Sequence, residues 1–302
     1  MLKIAHLVNP VKVAKNHELF TAQPITFESI QKAISYSQRS DFKIVIRSTQ
    51  YEEDHEIIPD FIRPLSNLTR SVVDCEPNDL KRKLPLIADV LEKAREVDDA
   101  HYIIYSNIDI GVMPYFYDSV FEFIHKGHDA IVINKRRVSS RYNNPSQLSE
   151  IYADLGKSHP GFDCFIFKKE LRDHFVLSEI CVGVPFLGVS LLHNILAFSK
   201  NPKIVIDAHL TFHIGMNVLG FNKDSHYKHN KYTYFNKIYP KIKDRFDLKK
   251  FPYAKVNLIK RSMKWILNPS IFTVDYLNLE GKNKARQIKL KLDEIRWRVL
   301  QR

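Results

Sequence analysis

The segment Tyr105-Ser106-Asn107-Ile108-Asp109-Ile110-Gly111 places two oxygen-bearing side chains directly after a run of apolar residues. If that run is a buried strand, Asn107 and Asp109 project from the same side of it, because side chains alternate along a strand. Amide and carboxylate oxygens suit hard cations such as Mg²⁺ or Mn²⁺, with coordination positions left for a diphosphate. The competing interpretation is structural: Asp109 accepts backbone hydrogen bonds in the turn that leads to Pro114.

A histidine further along the chain offers a third ligand. His213 lies among apolar residues, two positions before Gly215. A neutral imidazole coordinates metal ions well, so we predict a site formed by Asn107, Asp109 and His213 with mixed oxygen and nitrogen ligands. A histidine in such surroundings is also commonly a hydrogen-bonded core residue, and the sequence leaves both interpretations open.

A second carboxylate candidate is Asp163, in the segment Gly161-Phe162-Asp163-Cys164-Phe165 at the exit of a polar stretch. In a displacement reaction it could orient an acceptor hydroxyl or remove its proton. The alternative is a turn aspartate that accepts local N–H groups. The pattern does not choose between the two.

The elements that must position these residues alternate between strand and helix. Apolar runs predict strands at 3–9, 42–48, 101–107 and 130–134, and helical spacing predicts helices after Pro24, across 80–96 and after Pro114. This alternation predicts an α/β fold with a mostly parallel, Rossmann-like sheet flanked by helices. In such sheets ligands bind outside the carboxyl ends of the strands, which is where Asn107 and Asp109 fall.

Beyond residue 135 the pattern changes. Residues 136–160 are polar and predict a long loop over the site or a boundary between half-domains. A strand at 162–167, an apolar helix near 185–198 and two short strands at 203–214 follow. Basic helical segments are predicted near 232–245, 255–267 and 283–300. We therefore predict two regions, an α/β domain of residues 1–222 and a basic, mostly helical extension of residues 223–302.

The charge is concentrated at one end of the 302-residue chain, whose formal net charge is +12. Residues 223–302 contain 21 Lys and Arg against 7 Asp and Glu, whereas the first 222 residues contain 25 against 27. Such asymmetry predicts that the C-terminal region meets an anionic partner.

Three scattered cysteines indicate neither a disulfide framework nor a zinc knuckle, and no apolar run is typical of a signal peptide or a spanning helix. We therefore expect a cytoplasmic protein, with peripheral contact at the inner face of the cytoplasmic membrane as a further expectation.

The order of the three chemical signals resembles the GT-A class of nucleotide-sugar glycosyltransferases and, more narrowly, a bacterial glycosyltransferase-like family. The resemblance covers residues 101–215, about the central third of the chain, and implies that residues 1–222 form a GT-A-like catalytic domain. The positions that match the family's pattern are Tyr105, Asn107, Asp109, Gly161, Asp163, Phe165, Phe167, Gly183, Asp207 and His213.

By the same resemblance, Val8, Asn9 and Pro10 contact the nucleotide at the end of the first strand. Arg47 is expected to reach the donor, and Arg70 to pair with its diphosphate, because a guanidinium matches phosphate oxygens bidentately. The alternative for each arginine is an ordinary surface or bridging role.

The catalytic base departs from the family's pattern. Related sequences often carry a carboxylate near the start of the apolar helix, but Phe186-Leu187-Gly188-Val189 provides none. Either Asp163 or Glu179 then acts as the base, or the displacement proceeds without an enzymic base. A non-catalytic homologue is the remaining alternative.

The resemblance implies a metal-dependent glycosyltransferase that uses Mn²⁺ or Mg²⁺ and a nucleotide-diphosphate sugar. The sugar would pass to a glycan or lipid-linked acceptor, as in bacterial surface polysaccharide biosynthesis. One alternative is a metal-dependent nucleotidyl- or phosphotransferase, which would release pyrophosphate. The other is a non-catalytic module that binds nucleic acid or membrane. The sequence has no Gly-x-Gly-x-x-Gly and no Walker loop, which argues against a dinucleotide site and a P-loop NTPase.

Three interpretations of the basic extension stay open. Its last predicted helix could pack an apolar stripe on the catalytic domain, or lie on an anionic membrane, where each nearby basic residue contributes about 1 kcal/mol. Nucleic-acid binding is compatible with the composition, but no recognised fold supports it. The stripe consists of Ile288, Leu292, Ile295 and Val299.

Overall fold

A computed structural model describes residues 1–75, 80–206, 208–215 and 225–267, together with residue 295. These residues form a nine-stranded sheet in which the order is β3-β2-β1-β4-β7-β6-β9-β5, and β8 also pairs with β6. The strands are β1 (Leu2–Val8), β2 (Phe42–Ser48), β3 (Arg63–Pro64), β4 (Tyr102–Ser106), β5 (Ile110–Val112), β6 (Ala130–Val138), β7 (Lys157–Lys168), β8 (Pro202–Val205) and β9 (Thr211–Ile214).

The predicted α/β fold class is confirmed. Strands β1, β2, β3 and β4 are parallel to one another, and β8 and β9 are parallel to β6. Strand β7 runs antiparallel to both β4 and β6, and β5 runs antiparallel to β9. The parallel arrangement therefore predominates, while the centre of the sheet is mixed because the chain returns from β6 to β7 through a compact connection instead of a full crossover.

Helices cover both faces of this sheet. They are α1 (Glu18–Tyr36), α2 (Ile87–Glu92), α3 (Phe116–His125), α4 (Leu148–Ala153), α5 (Leu187–Phe198), α6 (Ser225–Thr233), α7 (Tyr239–Ile242) and α8 (Leu258–Leu267). Alternate residues of β4 enter two apolar clusters: Ile103 packs with residues of α2 and α5, and Ile104 packs with residues of α1 and α3. Burial on both faces explains why this strand is almost continuously apolar.

Two helices begin at other positions than predicted. Helix α1 starts before Pro24, because His17 caps it and its Nδ1 accepts a hydrogen bond from the N–H of Leu19 at 3.1 Å. Helix α2 begins only at Ile87, since Leu86 is extended and bridges to Cys181.

The prediction of a long loop over 136–160 is wrong. Strand β6 continues to Val138, α4 follows, and β7 already begins at Lys157. Polar residues at both ends of this segment belong to the sheet, where Arg136 pairs with Ser158 of β7 and with Phe212 of β9, and the short stretch 139–147 between β6 and α4 is turn-like. Long-range pairing of this kind overrides the local polar composition.

The first part of the basic region packs against the sheet domain. Tyr234, Ile238 and Ile242 are buried in the same apolar cluster as residues of α5. The hydroxyl of Tyr234 lies 2.5 Å from Nδ1 of His193 on α5. The predicted boundary between residues 222 and 223 and the predicted helix at 283–300 lie outside the described residues, apart from residue 295.

Across the described part of the chain, no helix combines the length and apolar character that a membrane span requires.

Candidate active site

Three parallel strands deliver their carboxyl ends to one edge of the sheet. Strands β1, β2 and β4 end at Val8, Ser48 and Ser106. Strand β7 runs in the opposite direction beside β4, with Cys164 opposite Ser106. This register continues past the strand end, where the N–H of Asn107 donates to the carbonyl of Asp163 at 3.2 Å. The main chain therefore holds these two predicted site residues side by side.

The side chain of Asn107 links two other side chains at this edge. Its Nδ2 donates to Oδ1 of Asp163 at 3.1 Å, and its Oδ1 accepts from the hydroxyl of Tyr105 at 3.1 Å. Burial raises the pKa of Tyr105 well above its usual range, and the negative charges of Asp109 and Asp163 raise it further. The carboxylates of Asp109 and Asp163 therefore both lie close enough to the buried Tyr105 hydroxyl to raise its pKa.

A lysine supplies a fixed positive charge beside these carboxylates. Nζ of Lys135 lies 3.3 Å from Oδ2 of Asp163, and the two side chains are only 13% and 19% exposed. The register of β6 against β7 shifts on either side of Asn134. Irregularities of this kind redirect individual side chains, and this one precedes Lys135 directly.

Asp109 and His213 are hydrogen-bonded across two short strands. In the antiparallel pairing of β5 with β9, Ile110 lies opposite His213. This brings Nε2 of His213 to 2.9 Å from Oδ2 of Asp109. Burial alone would raise the pKa of Asp109, but the charge and hydrogen bond of His213, with the charge of Lys135, lower it below its usual range. Asp109 is therefore ionised. We refer to Asn107, Asp109, Lys135, Asp163 and His213 as the strand-end cluster.

A half-buried histidine, His159, lies within range of the same charges. Burial lowers the pKa of His159 well below its usual range, and the nearby positive charges of Lys135, Arg137 and His213 lower it further. Its Nδ1 accepts a hydrogen bond from the N–H of Gly161 at 2.9 Å, so the imidazole is neutral and held in place. The fixed charge of Lys135 thus lies near both carboxylates, and the edge can receive an anionic group.

The side chains that could hold a divalent cation are Asp109 and His213. They face one another, and Nδ1 of His213 is buried with no hydrogen-bond partner among the residues that the structure describes. The amide of Asn107, the third predicted ligand, is directed at Asp163 and Tyr105. Among the described residues, no group of three or more His, Cys, Asp or Glu side chains is arranged to hold a metal ion. The pair fits a metal only if diphosphate and water oxygens complete its coordination.

Arg70 and Glu179 come together, but at another place. Both line a cavity of about 400 Å³, together with Asp89 and Arg172, and no member of the strand-end cluster lines it. Arg70 forms a bidentate pair with Asp89, with nitrogen-to-oxygen distances of 2.7 and 2.9 Å. Oε2 of Glu179 lies 2.7 Å from Nζ of Lys237.

The other residues predicted to contact the donor fall at the ends of β1 and β2. Val8, Asn9 and Pro10 are buried. The side chain of Asn9 donates to the carbonyl of Thr49, which ties the two strand ends together. Arg47 donates to the carbonyl of Ile46 at 3.0 Å, and none of its described contacts is with the strand-end cluster.

The start of α5 lies against the strand that carries Asp163. A Cβ added at Gly188 would approach the carbonyl oxygen of Phe162 to 2.6 Å, closer than real Cβ contacts. Glycine at this position therefore permits the close approach of helix and strand. Asp207, which the resemblance included, lies outside the described residues.

Sequence reasoning missed Lys135 and the neutral His159, and it named Tyr105 without assigning a role to its hydroxyl. The only signal for the lysine was the run Lys135-Arg136-Arg137 directly after an apolar strand. A basic run at the carboxyl end of a strand, near other strand-end candidates, indicates an anion site and would have identified Lys135.

No protein-family model matches the chain, and no curated protein matches it. Among solved structures, the chain is similar to S. aureus TarS 1–349 in complex with UDP-GlcNAc, at 10% identity and a TM-score of 0.43, covering 89% of this chain and 82% of that chain. It is also similar to M. tuberculosis glucosyl-3-phosphoglycerate synthase, at 14% identity and a TM-score of 0.38, covering 68% and 70%. A third similar structure is 4-diphosphocytidyl-2C-methyl-D-erythritolsynthase from Anaerococcus prevotii DSM 20548, at 10% identity and a TM-score of 0.40, covering 76% and 96%.

These similarities concern the fold. The α/β sheet with polar residues at its carboxyl edge is the architecture that the GT-A resemblance implied, and the functional inference below depends on the strand-end cluster itself.

Proposed function

We propose that the protein is a glycosyltransferase that binds the diphosphate of a nucleotide sugar at the strand-end cluster. One observation carries this proposal: two carboxylates, a lysine and a histidine converge at the carboxyl edge of the sheet, where Asp109 lies 2.9 Å from His213 and Asp163 lies 3.3 Å from Lys135. Carboxylates without nearby cations would repel a diphosphate, whereas this mixed arrangement can bind it either directly or with a metal ion.

Lys135 is proposed to bind the phosphates directly. Its ammonium is a compact point charge with three donors, and it is held beside Asp163 in a largely buried position. A fixed cation in a largely buried site stabilises the negative charge that develops on the leaving nucleoside diphosphate.

Asp109 and His213 would hold Mn²⁺ or Mg²⁺, with Asn107 as the third ligand that the sequence suggests. When bound, such an ion would act as a Lewis acid that neutralises the leaving diphosphate. For Asn107 to take part, its amide would exchange its present contacts with Asp163 and Tyr105 for the metal.

Asp163 is proposed as the residue that receives the acceptor's proton. Its two oxygens contact Asn107 and Lys135, which fix the orientation of the carboxylate. In the displacement, the bond between the anomeric carbon and the diphosphate oxygen breaks, and a bond to the acceptor oxygen forms. The hydroxyl proton passes to Asp163, and the electron pair leaves with the nucleoside diphosphate. Glu179 is the second candidate base.

Val8, Asn9 and Pro10 would contact the nucleotide at the end of β1. Arg47 and Arg70 are further donor contacts by the GT-A resemblance, and Arg70 would have to release Asp89 to reach a phosphate. The acceptor is proposed to be a glycan or a lipid-linked glycan of bacterial surface polysaccharide synthesis, on the cytoplasmic side of the membrane.

The first test is nucleotide binding measured by thermal shift. The proteins compared are the wild type, Asp109→Asn and the control Asp60→Asn, which changes an exposed carboxylate. Each is mixed with UDP, GDP or CDP, or with the corresponding nucleotide sugars, in the presence of Mn²⁺ or of a chelator. We expect one nucleoside diphosphate to stabilise the wild type and the control, and to stabilise Asp109→Asn much less.

A product assay then identifies the reaction. Release of a nucleoside diphosphate from a nucleotide sugar supports glycosyl transfer, whereas release of pyrophosphate from a nucleoside triphosphate indicates a nucleotidyltransferase. If no nucleotide stabilises the protein, or if Asp109→Asn responds as the wild type does, the proposed function is wrong.

A further inference from the structure

Helix α8 turns apolar side chains toward solvent. Leu258, Ile259 and Met263 are 66%, 77% and 57% exposed. Ile259 and Met263 are four residues apart and therefore neighbours on one side of the helix. A single exposed apolar residue needs no explanation, but a contiguous group marks an interaction surface. We call Ile259 and Met263 the α8 apolar face; Leu258, at the first residue of the helix, adds exposed apolar surface next to Ile259.

The opposite side of α8 is fixed to the protein. Nε1 of Trp265 donates to the carbonyl of Pro252 at 2.7 Å, and the guanidinium of Arg261 donates to the carbonyl of Ala254 at 3.2 Å. The Trp265 ring also packs edge-on against Phe251, which is buried in the main apolar cluster, with 6.3 Å between ring centres. Because these contacts set the rotation of the helix, the apolar face is held outward.

Basic residues flank this face. Lys260 and Lys264 each follow a member of the apolar face by one position, so they form a cationic stripe beside it. The surrounding stretch 225–267 contains 12 Lys and Arg but only 2 Asp and Glu. An apolar strip bordered by lysines, on a helix without acidic residues, is the pattern of helices that lie in the interface of a membrane.

We infer that α8 docks the protein on an anionic lipid bilayer, with the α8 apolar face inserted among the headgroups and Lys260 and Lys264 against the lipid phosphates. Charge favours this occupant over a second copy of the chain, because two such basic surfaces would repel one another. The exposed aliphatic side chains favour lipid over nucleic acid, which is bound by stacking on aromatic rings and by cations. This inference does not depend on the proposed function, although an enzyme with a lipid-linked acceptor would benefit from it.

The test is co-sedimentation of the full-length protein with vesicles of phosphatidylcholine alone or mixed with phosphatidylglycerol, at low and high salt. We expect binding to the mixed vesicles to exceed binding to the neutral ones by more than about tenfold, since each lysine near an anionic surface contributes about fivefold. High salt should reduce this preference.

Two double variants examine the helix itself. Ile259→Ser with Met263→Ser should weaken binding to mixed vesicles by about tenfold or more, through loss of apolar burial. Lys260→Glu with Lys264→Glu should weaken it at least as much and remove the salt dependence that these lysines contribute. The control for the apolar variant is Leu155→Ser, which alters a side chain outside α8 that is 72% exposed. The control for the charge variant is Lys15→Glu with Lys126→Glu, which changes two exposed lysines outside α8. Both controls should bind as the wild type does.

Unchanged thermal melting shows that each variant is folded. If both α8 variants bind mixed vesicles as tightly as the wild type, or if neutral vesicles bind equally well, the inference is wrong. It is equally wrong if the protein does not bind vesicles but forms an oligomer that the Ile259 and Met263 substitutions abolish, because the face would then contact a second copy.

Discussion

The imidazole of His213 lies 2.9 Å from the carboxylate of Asp109, although the two residues belong to separate parts of the chain. The contact exists because β5 and β9 pair antiparallel at the edge of the sheet, with Ile110 opposite His213. Since β9 also pairs with β6, the same short strand brings the histidine beside the basic end of β6. The chemistry proposed here depends on this convergence of β4, β6, β7 and β9.

If Asp109 and His213 act as a unit, their substitutions should not be additive. We expect Asp109→Asn and His213→Gln each to lower kcat/KM for the nucleotide sugar by about 100-fold, in the range seen when one stabilising group is removed. The double variant should be little worse than either single variant, because both remove the same ion-binding pair. Steady-state kinetics with and without Mn²⁺ measure this.

His209→Gln is the control for that experiment, since its side chain lies outside the strand-end cluster and the substitution is the same. Losses that multiply in the double variant would show that Asp109 and His213 act separately. Wild-type activity in either single variant would exclude the pair from the reaction.

The role proposed for Lys135 predicts a graded effect on donor binding. Lys135→Met removes the cation while keeping most of the apolar stem, and should weaken nucleoside diphosphate binding by about 10- to 100-fold, or about 1.4 to 2.8 kcal/mol. Lys135→Arg should retain part of the affinity, because the charge stays in place. Isothermal titration calorimetry with the nucleoside diphosphate gives the affinities.

Lys168→Met serves as the control, because Lys168 is exposed at the far end of β7. Equal affinities of Lys135→Met and the wild type would show that the ammonium orients Asp163 only and does not bind phosphate.

The elements of the fold could largely be predicted because burial on both sides leaves a clear apolar pattern. The range 42–48 predicted for the second strand is the range observed for β2. The loop predicted over 136–160 is wrong because its local sequence is polar rather than apolar. Arg136 and Arg137 are nevertheless in the sheet, where they pair with residues distant in sequence. No local pattern records such partners.

The candidate site shows the same division. Asn107 and Asp109 follow the carboxyl end of β4, where an α/β sheet places its ligand site, and so their position could be expected. Asp163 lies within β7 and reaches them because β7 runs antiparallel to β4. Lys135 reaches Asp163 only through an irregular register in β6, which the sequence does not reveal. Arg70 and Glu179 were chosen by resemblance, and the structure places them in a separate cavity.

The two candidate bases can be separated by isosteric substitution. Asp163→Asn keeps the size of the side chain but removes its ability to take a proton, so we expect kcat to fall by about 10²- to 10⁴-fold. Glu179→Gln should change kcat by less than about threefold, because that carboxylate contacts Lys237 and lines the other cavity. Single-turnover rates with saturating donor measure both. A reversed order of the two effects would assign the base to Glu179.

The close contact between α5 and β7 predicts that substitution of Gly188 destabilises the protein. Gly188→Ala would place a Cβ 2.6 Å from the Phe162 carbonyl oxygen and force helix and strand apart, which should cost about 1–3 kcal/mol of unfolding free energy. Donor turnover should also fall, because Phe162 precedes Asp163.

Urea unfolding gives the stability, and Ser190→Ala in the same helix is the control. Within the described part of the chain the Ser190 hydroxyl is buried without a hydrogen-bond partner, so its removal should cost little. Equal stability of Gly188→Ala and the wild type would mean that the helix can move freely.

The buried His6 predicts how stability depends on pH. Its ring nitrogens lie 2.9 Å from the Tyr117 hydroxyl and 2.8 Å from the Ser106 hydroxyl. Ser106 directly precedes Asn107 of the strand-end cluster. Burial lowers the pKa of His6 from 6.5 to about 3, so the folded protein holds it neutral while the unfolded chain protonates it near pH 6.5. The unfolded state therefore binds more protons between these values. The stabilising contribution of neutral His6 is complete above pH 6.5 and is lost as the pH falls toward 3, by about 1.4 kcal/mol per pH unit.

Urea unfolding at pH 7, 6 and 5 (roughly the upper part of this window) tests the prediction with His6→Gln, which keeps a polar group but does not titrate. We expect the variant to be less stable than the wild type at pH 7 and to lose less stability on acidification, so that the two curves converge by about 2 kcal/mol at pH 5. His125→Gln alters an exposed histidine and should keep the wild-type slope. Parallel curves for His6→Gln and the wild type would show that His6 is not held neutral by the fold, and that its contacts with Ser106 and Tyr117 do not depend on its protonation state.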